Sequence, residues 1–183
     1  RSLHQIMTGL KLHLLALVVL SVLLSQTQLL HSSAEIGSIS EVRGNAQVLR
    51  DKPYGAELKF NIQQMDDVRT ESGRVAITFE DNSTVKLTEH SKLVIDEYIY
   101  DPDPSKSKMA LKFASGTARF ITGKFNNKSN ISIRTPTANI AIRGTDFTCT
   151  VDELGRSLVI LLPDENGISS GEILVSTAMG SVT

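Results

Sequence analysis

From Ile36 onward apolar residues recur at every second position, the period of a strand with one buried face. Val75, Ile77 and Phe79 make one such set. Asp81-Asn82-Ser83 then supplies turn chemistry and Thr84-Val85-Lys86-Leu87-Thr88 resumes the alternation, which predicts a hairpin. Leu93-Val94-Ile95 follows, with Tyr98 and Tyr100 continuing the pattern. Residues 101–108, DPDPSKSK, read as a loop. Beyond it Leu111 and Phe113 alternate, Ser115-Gly116 is expected to turn the chain, and Ala118 and Phe120 lead to a second turn at Thr122-Gly123. Ile131/Ile133, Ile140/Ile142 and Phe147/Cys149/Val151 repeat the period. The unbroken run Leu158–Leu162 predicts a strand covered on both faces, and Ile168 to Val175 a last strand. About a dozen short strands at roughly 8–12-residue spacing imply an all-β fold, solenoid-like or sandwich-like or closed into a barrel, with no helical stretch after the first 34 residues.

The first 34 residues follow another pattern. Lys11 precedes a short apolar run, LHLLALVVLSVLL at 12–24, and Ser32-Ser33-Ala34 supplies small residues before Glu35. Charged start, short apolar stretch and small-residue site describe a secretory signal peptide over 1–34, cut between Ala34 and Glu35. A membrane-spanning helix wants about 18 or more apolar residues, so an uncleaved anchor is the second reading. The domain is expected over 35–183. Arg1 in place of Met points to a clipped start or a start at Met7, and the strand-like ending 178–183 to continuation beyond Thr183.

Removing the leader sharpens the chemistry. Residues 1–34 hold two of the 19 basic residues and none of the 20 acids, so the remainder has 17 basic and 20 acidic groups, a net charge of −3. That excludes a general nucleic-acid binder, whose affinity rests on phosphate neutralisation. Three of four histidines leave with the leader, and His90 and Cys149 remain. A lone cysteine makes no internal disulfide, and one His with one Cys makes no zinc site of the usual kind. His90 reads as a solvated turn residue and Cys149, alternating with Phe147 and Val151, as core. The adjacent acids Asp66-Asp67, Glu80-Asp81, Asp96-Glu97 and Asp152-Glu153 point to opposite faces of a strand and read as solvated turns rather than a hydrolytic pair. Sequons stand at Asn82, Asn127 and Asn130. No catalytic residue, metal site or cofactor is expected.

One stretch stands apart, Thr135-Pro136-Thr137-Ala138 followed by Ile142-Arg143-Gly144-Thr145-Asp146-Phe147. Pro136 belongs at a strand's opening or edge, and Gly144 at a bulge or bend. Arg143, between apolar strands, is expected to close the turn through internal hydrogen bonds. With the segment from Glu71 through Gly73 to Ser83, Ser91-Lys92-Leu93, and Leu111 through Gly116 to Phe120, this chain resembles the FecR domain, named for the ferric citrate regulator, over roughly 37–151. The motif residues carrying the resemblance are Gly73, Ser91, Gly116, Thr135, Pro136, Ala138, Arg143, Gly144, Thr145 and Phe147, all expected to be structural.

The resemblance implies a periplasmic or cell-surface domain of short wound strands. In the family's membrane regulators such a domain passes a signal from an outer-membrane transporter to a sigma factor, through a cytoplasmic segment ahead of a membrane helix. Here about ten residues precede the apolar run. The expectation is therefore an exported, non-catalytic binding or scaffolding module. Its partner would be an envelope protein or a glycan, not nucleic acid, and it would meet a membrane only through an uncleaved leader. A component of a cell-surface signalling system is the alternative.

Overall fold

Each alternating run becomes a strand because its apolar side chains find cover on one face only. The computed structural model describes residues 34–103, 105–123, 130–144, 146–163, 166–168 and 171–183. The expected leader up to Ser33, the Asn127 sequon and motif residue Thr145 lie outside the described residues. The strands are β1 (Glu35–Arg43), β2 (Ala46–Leu49), β3 (Pro53–Gly55), β4 (Asn61–Gln63), β5 (Asp67–Thr70), β6 (Arg74–Phe79), β7 (Thr84–Leu87), β8 (Lys92–Ile99), β9 (Lys108–Ile121), β10 (Asn130–Arg134), β11 (Asn139–Arg143), β12 (Phe147–Val151), β13 (Ser157–Leu161), β14 (Glu172–Thr177) and β15 (Gly180–Val182). Among the described residues there is no helix. The all-β expectation holds.

The strands form two sheets that share β9. One runs β4-β1-β6-β7-β9-β12-β13, using residues 116–121 of β9. The other runs β3-β2-β5-β8-β9-β10-β11-β14-β15, using residues 108–115. Their inward residues make a single core in which Phe79, Phe113, Phe147, Leu93, Ile95 and Leu111 are fully buried. Each large apolar side chain buried this way contributes about 1.5–3 kcal/mol. Phe120 stacks on Phe147 at 4.5 Å within the first sheet, and Phe79 of that sheet stacks on Tyr98 of the other at 5.1 Å. The arrangement is the sandwich-like one among those expected.

Three expectations are corrected. Ser115-Gly116 does not turn the chain; β9 passes straight through as one 14-residue strand. The small residues serve instead to hand the strand from one sheet to the other. The run at 158–162 is not covered on both faces. Among the described residues β13 pairs with β12 alone, and Leu158, Ile160 and Leu161 are 59%, 50% and 37% exposed. The last strand begins at Glu172, later than Ile168, and a further short strand, β15, follows the turn at Ala178-Met179.

Two acids expected in solvated turns are fully buried. Asp66 receives Arg50 Nε and Nη2 at 2.7 Å each and the Gln63 amide at 2.8 Å. Arg50 Nη2 also donates to the Asn61 carbonyl at 3.0 Å. The same guanidinium lies 5.5 Å from the Phe60 ring centroid. This pair joins the end of β2 and the start of β5, in one sheet, to β4 in the other. Asp81 accepts Ser83 Oγ at 2.6 Å and the Tyr98 hydroxyl at 3.0 Å, and its own amide donates to that hydroxyl. A tyrosine of one sheet thereby holds the β6–β7 turn of the other. Both carboxylates are buried because they meet donors from several elements, which a local reading of adjacent acids does not show.

Removing one partner of a buried pair leaves the other charge uncompensated, at about 3–5 kcal/mol. Asp66→Ala is expected to lose that much in urea denaturation, whereas Asp67→Ala, at a more open position pairing with Arg69, loses less than about 1 kcal/mol. Equal losses would refute the assignment. Burial, then the Asp81 charge, pushes the Tyr98 phenol well above its ordinary range. The folded state therefore favours the protonated phenol. Its contribution to stability is complete below the unfolded-chain value of about 10 and declines as pH rises beyond it. Unfolding free energy should fall between about pH 9.5 and 11 more steeply for the parent than for Tyr98→Phe; parallel curves exclude the coupling.

Candidate functional site

The motif residues gather at two junctions where the sheets meet. At the first, Gly116 has φ +96°, a conformation that non-glycine residues rarely adopt. A side chain there would run into Ser91, its Cβ 2.6 Å from the Ser91 Cα. Ser91 is fully buried, and its amide donates to Thr70 Oγ1 at 2.9 Å. The Thr117 amide donates to Ser91 Oγ at 3.3 Å, and Thr70 Oγ1 donates to the Thr88 carbonyl at 2.6 Å. Hydroxyls thus satisfy the backbone groups that the ladders release where β9 changes sheets. Gly73 lies nearby in sequence, and a Cβ there would sit 2.6 Å from the carbonyls of Arg43 and Asn45. Only glycine lets the β5–β6 connection lie so close to the β1–β2 connection.

The second junction is the turn Thr135-Pro136-Thr137-Ala138 between β10 and β11. Pro136 is placed within the turn, where no ladder bond needs its missing amide. The Thr135 amide donates to the Ala138 carbonyl at 2.9 Å, and the Ala138 amide donates to Thr135 Oγ1 at 3.0 Å. Thr135 Oγ1 and Ser157 Oγ share a hydrogen bond at 2.6 Å, and Thr137 Oγ1 donates to the Gly155 carbonyl at 2.7 Å. The turn thus locks one sheet onto the β12–β13 hairpin of the other. Ala138 and Phe147 are buried core, and Gly144 makes a bend with φ +60°. Arg143 departs from expectation. It ends β11 on the outer face, its side chain 68% exposed, with Nη1 4.0 Å from Glu172 of the neighbouring strand. An outward strand position needs no internal partner, so Arg143 does not close the turn.

Beside the first junction lies an open groove of about 640 Å³, lined among others by His90, Ser115, Asp152 and Arg156. Ser115 Oγ donates to the main-chain carbonyl of His90 at 3.4 Å, so the pair is not arranged as nucleophile and base. Asp152 is held below the usual carboxylate range by hydrogen bonds from the Arg156 amide and guanidinium. Asp96 and Glu97 pair with Lys112 and Lys108. Cys149 is buried, which pushes its thiol up to about 11 and makes it core, as its alternation implied. Among the described residues no three His, Cys, Asp or Glu side chains converge as metal ligands.

Two surfaces escaped the sequence reading. One is the free edge of β13, mistaken for a buried strand. The other is the outer face of the first sheet, where Arg74, Lys86 and Arg119 occupy outward positions of adjacent strands. Each alone looks like the ordinary polar half of an alternating strand. Only the register shows that they are neighbours.

A family model described as FecR protein matches residues 66–182. The match begins later and ends later than the roughly 37–151 expected. It takes in both junctions and β13, and leaves β1 to β4 outside. No match was found among the curated proteins or among the solved structures. A FecR domain points to a role in cell-surface signalling or envelope-associated regulation.

The two junctions and the exposed arginine separate cleanly in stability. Gly116→Ala is expected to cost about 1–3 kcal/mol in urea denaturation, from the strained backbone and the contact with Ser91. Arg143→Ala should change it by less than about 0.5 kcal/mol. A large loss at Arg143 would restore the turn-closing role.

Proposed function

Because this chain belongs to the FecR protein family, we propose that it is an exported, non-catalytic binding module of the cell envelope that docks an extended segment of an envelope protein along β13. The observation that carries this reading is the unprotected edge of that strand. Among the described residues its outer side has no ladder partner, and its sequence, Ser-Leu-Val-Ile-Leu, contains neither the lysine nor the proline with which edge strands are usually guarded. An apolar edge of this kind is a template for strand addition, in which main-chain hydrogen bonds give affinity and alternate side chains give selectivity. The locked Thr135–Ala138 turn supports it by holding the β12–β13 hairpin rigid, which lowers the ordering cost of docking. Export is supported by the junction itself. Ala34 is exposed and Glu35 opens β1, so cleavage between them removes no strand residue.

The test places a photo-crosslinking residue at Leu158 in the native cell and identifies the adduct by mass spectrometry. One defined envelope protein is expected, with the yield falling at least about tenfold when Ile160→Lys charges the same edge. The same adducts from a crosslinker at Ala141, on the other sheet, would defeat the proposal. N-terminal sequencing of the exported protein is expected to begin at Glu35. A retained leader would favour the anchored signalling component instead.

A further inference from the structure

The outer face of the first sheet carries a cationic trough that nothing in the fold requires. Its volume is about 310 Å³ and its floor is Ala76, which is only 4% exposed although it points outward. The long side chains of Arg74, Lys86 and Arg119 line it together with the hydroxyls of Thr88 and Thr117. Glu41 is the one carboxylate in the lining, and it already lies 3.4 Å from Arg43. Among the described residues Arg74, Lys86 and Arg119 form no ion pair.

The register makes this arrangement costly. Lys86 stands directly opposite Arg119, and Arg74 directly opposite Arg43. Like charges in facing positions of an antiparallel pair are destabilising. Arg43 is offset by Glu41, so the cations left uncompensated are Arg74, Lys86 and Arg119, gathered at one place in a chain with a net charge of −1. A bound anion removes the repulsion and turns the cost into affinity.

We propose that this trough binds an anionic glycan, a sugar chain bearing carboxylate groups. The backbone on a sheet face is consumed by its ladders, so a peptide laid across it would find no main-chain partners for its own amides. A sugar has no such need. Its hydroxyls meet threonine hydroxyls, which both donate and accept, and its carboxylates meet guanidinium and ammonium groups. Thr88 and Thr117 line the trough, and further hydroxyls occur on the same sheet. Thr117 Oγ1 and Thr150 Oγ1 are hydrogen-bonded at 3.0 Å, and Thr78 Oγ1 donates to Ser40 Oγ at 2.8 Å. The trough lining shares no residue with β13.

The test is calorimetric titration of the exported domain with polygalacturonate oligosaccharides, with neutral dextran, poly-glutamate and phosphatidylglycerol vesicles as comparisons. Polygalacturonate is expected to bind, more weakly as salt rises, and dextran not to bind. Lys86→Glu is the decisive variant because it converts a like-charge pair into an opposite-charge pair with Arg119. Its Tm should equal or exceed that of the parent while affinity drops about tenfold or more. Arg134→Glu, on the other sheet, should leave binding unchanged. Polygalacturonate binding that matches dextran, or that survives Lys86→Glu, overturns the proposal. Tighter binding of poly-glutamate or of vesicles overturns it in favour of an acidic protein or a lipid surface. Each of these failures leaves the β13 crosslink intact, so the two readings fail separately.

Discussion

The fold depends on a single strand serving two sheets. β9 contributes residues 108–115 to one layer and 116–121 to the other, so the layers are joined covalently at their centre. A strand that changes sheets must release backbone groups from one ladder before the next can take them. Gly116 provides the unusual backbone angle, and Ser91, Thr70 and Thr88 provide the hydrogen bonds. The other cross-layer ties act at a distance from this point. Arg50–Asp66 lies beside β4, Tyr98–Asp81 at the β6–β7 turn, and Thr135–Ser157 at the β12–β13 hairpin. Each sets the spacing of the layers where β9 itself cannot reach.

The same logic explains why the family motif is rich in glycine, serine and threonine rather than in catalytic residues. Most of its described members act where the two layers exchange hydrogen bonds or where backbones approach too closely for a side chain. Phe147 instead packs in the core, Gly144 makes a bend, and Arg143 lies on the surface. With the motif engaged in holding the sandwich together, the sheet edges and outward faces are the surfaces it leaves open, and the proposed contacts lie there.

Period-two alternation is a local signal, and what it governs locally was legible. The β6–β7 hairpin, the inward placement of Ile131, Ile133, Ile140 and Ile142, and the buried Cys149 all follow from it. What escaped was non-local. Ser115-Gly116 carries turn chemistry, but only the ladders of β7 and β12 show that the chain continues straight. Leu158–Leu161 has the composition of a covered strand, but cover depends on what packs against both faces, and the outward Leu158 and Ile160 are left exposed. Asp66 and Asp81 look like solvated acids because Arg50 and Tyr98, 16 and 17 residues away, are brought to them only by the fold. The motif stretch was found because several residues of fixed spacing carry it. The cationic trough was not, because its members come from three strands and acquire meaning only through register.

The two sides of the sandwich's sheets are therefore under different constraints. Inward positions are dictated by packing, since every large apolar side chain there excludes water and touches its neighbours. Outward positions of a strand are free to be anything soluble, and threonine or alternating charge would satisfy stability at no cost. Facing cations on β7 and β9, and an apolar edge on β13, satisfy neither stability nor solubility. Departures from the local optimum that the fold does not need mark where the two proposed binding surfaces lie. In this chain they lie on one sheet, β13 at its edge and the trough on its outer face.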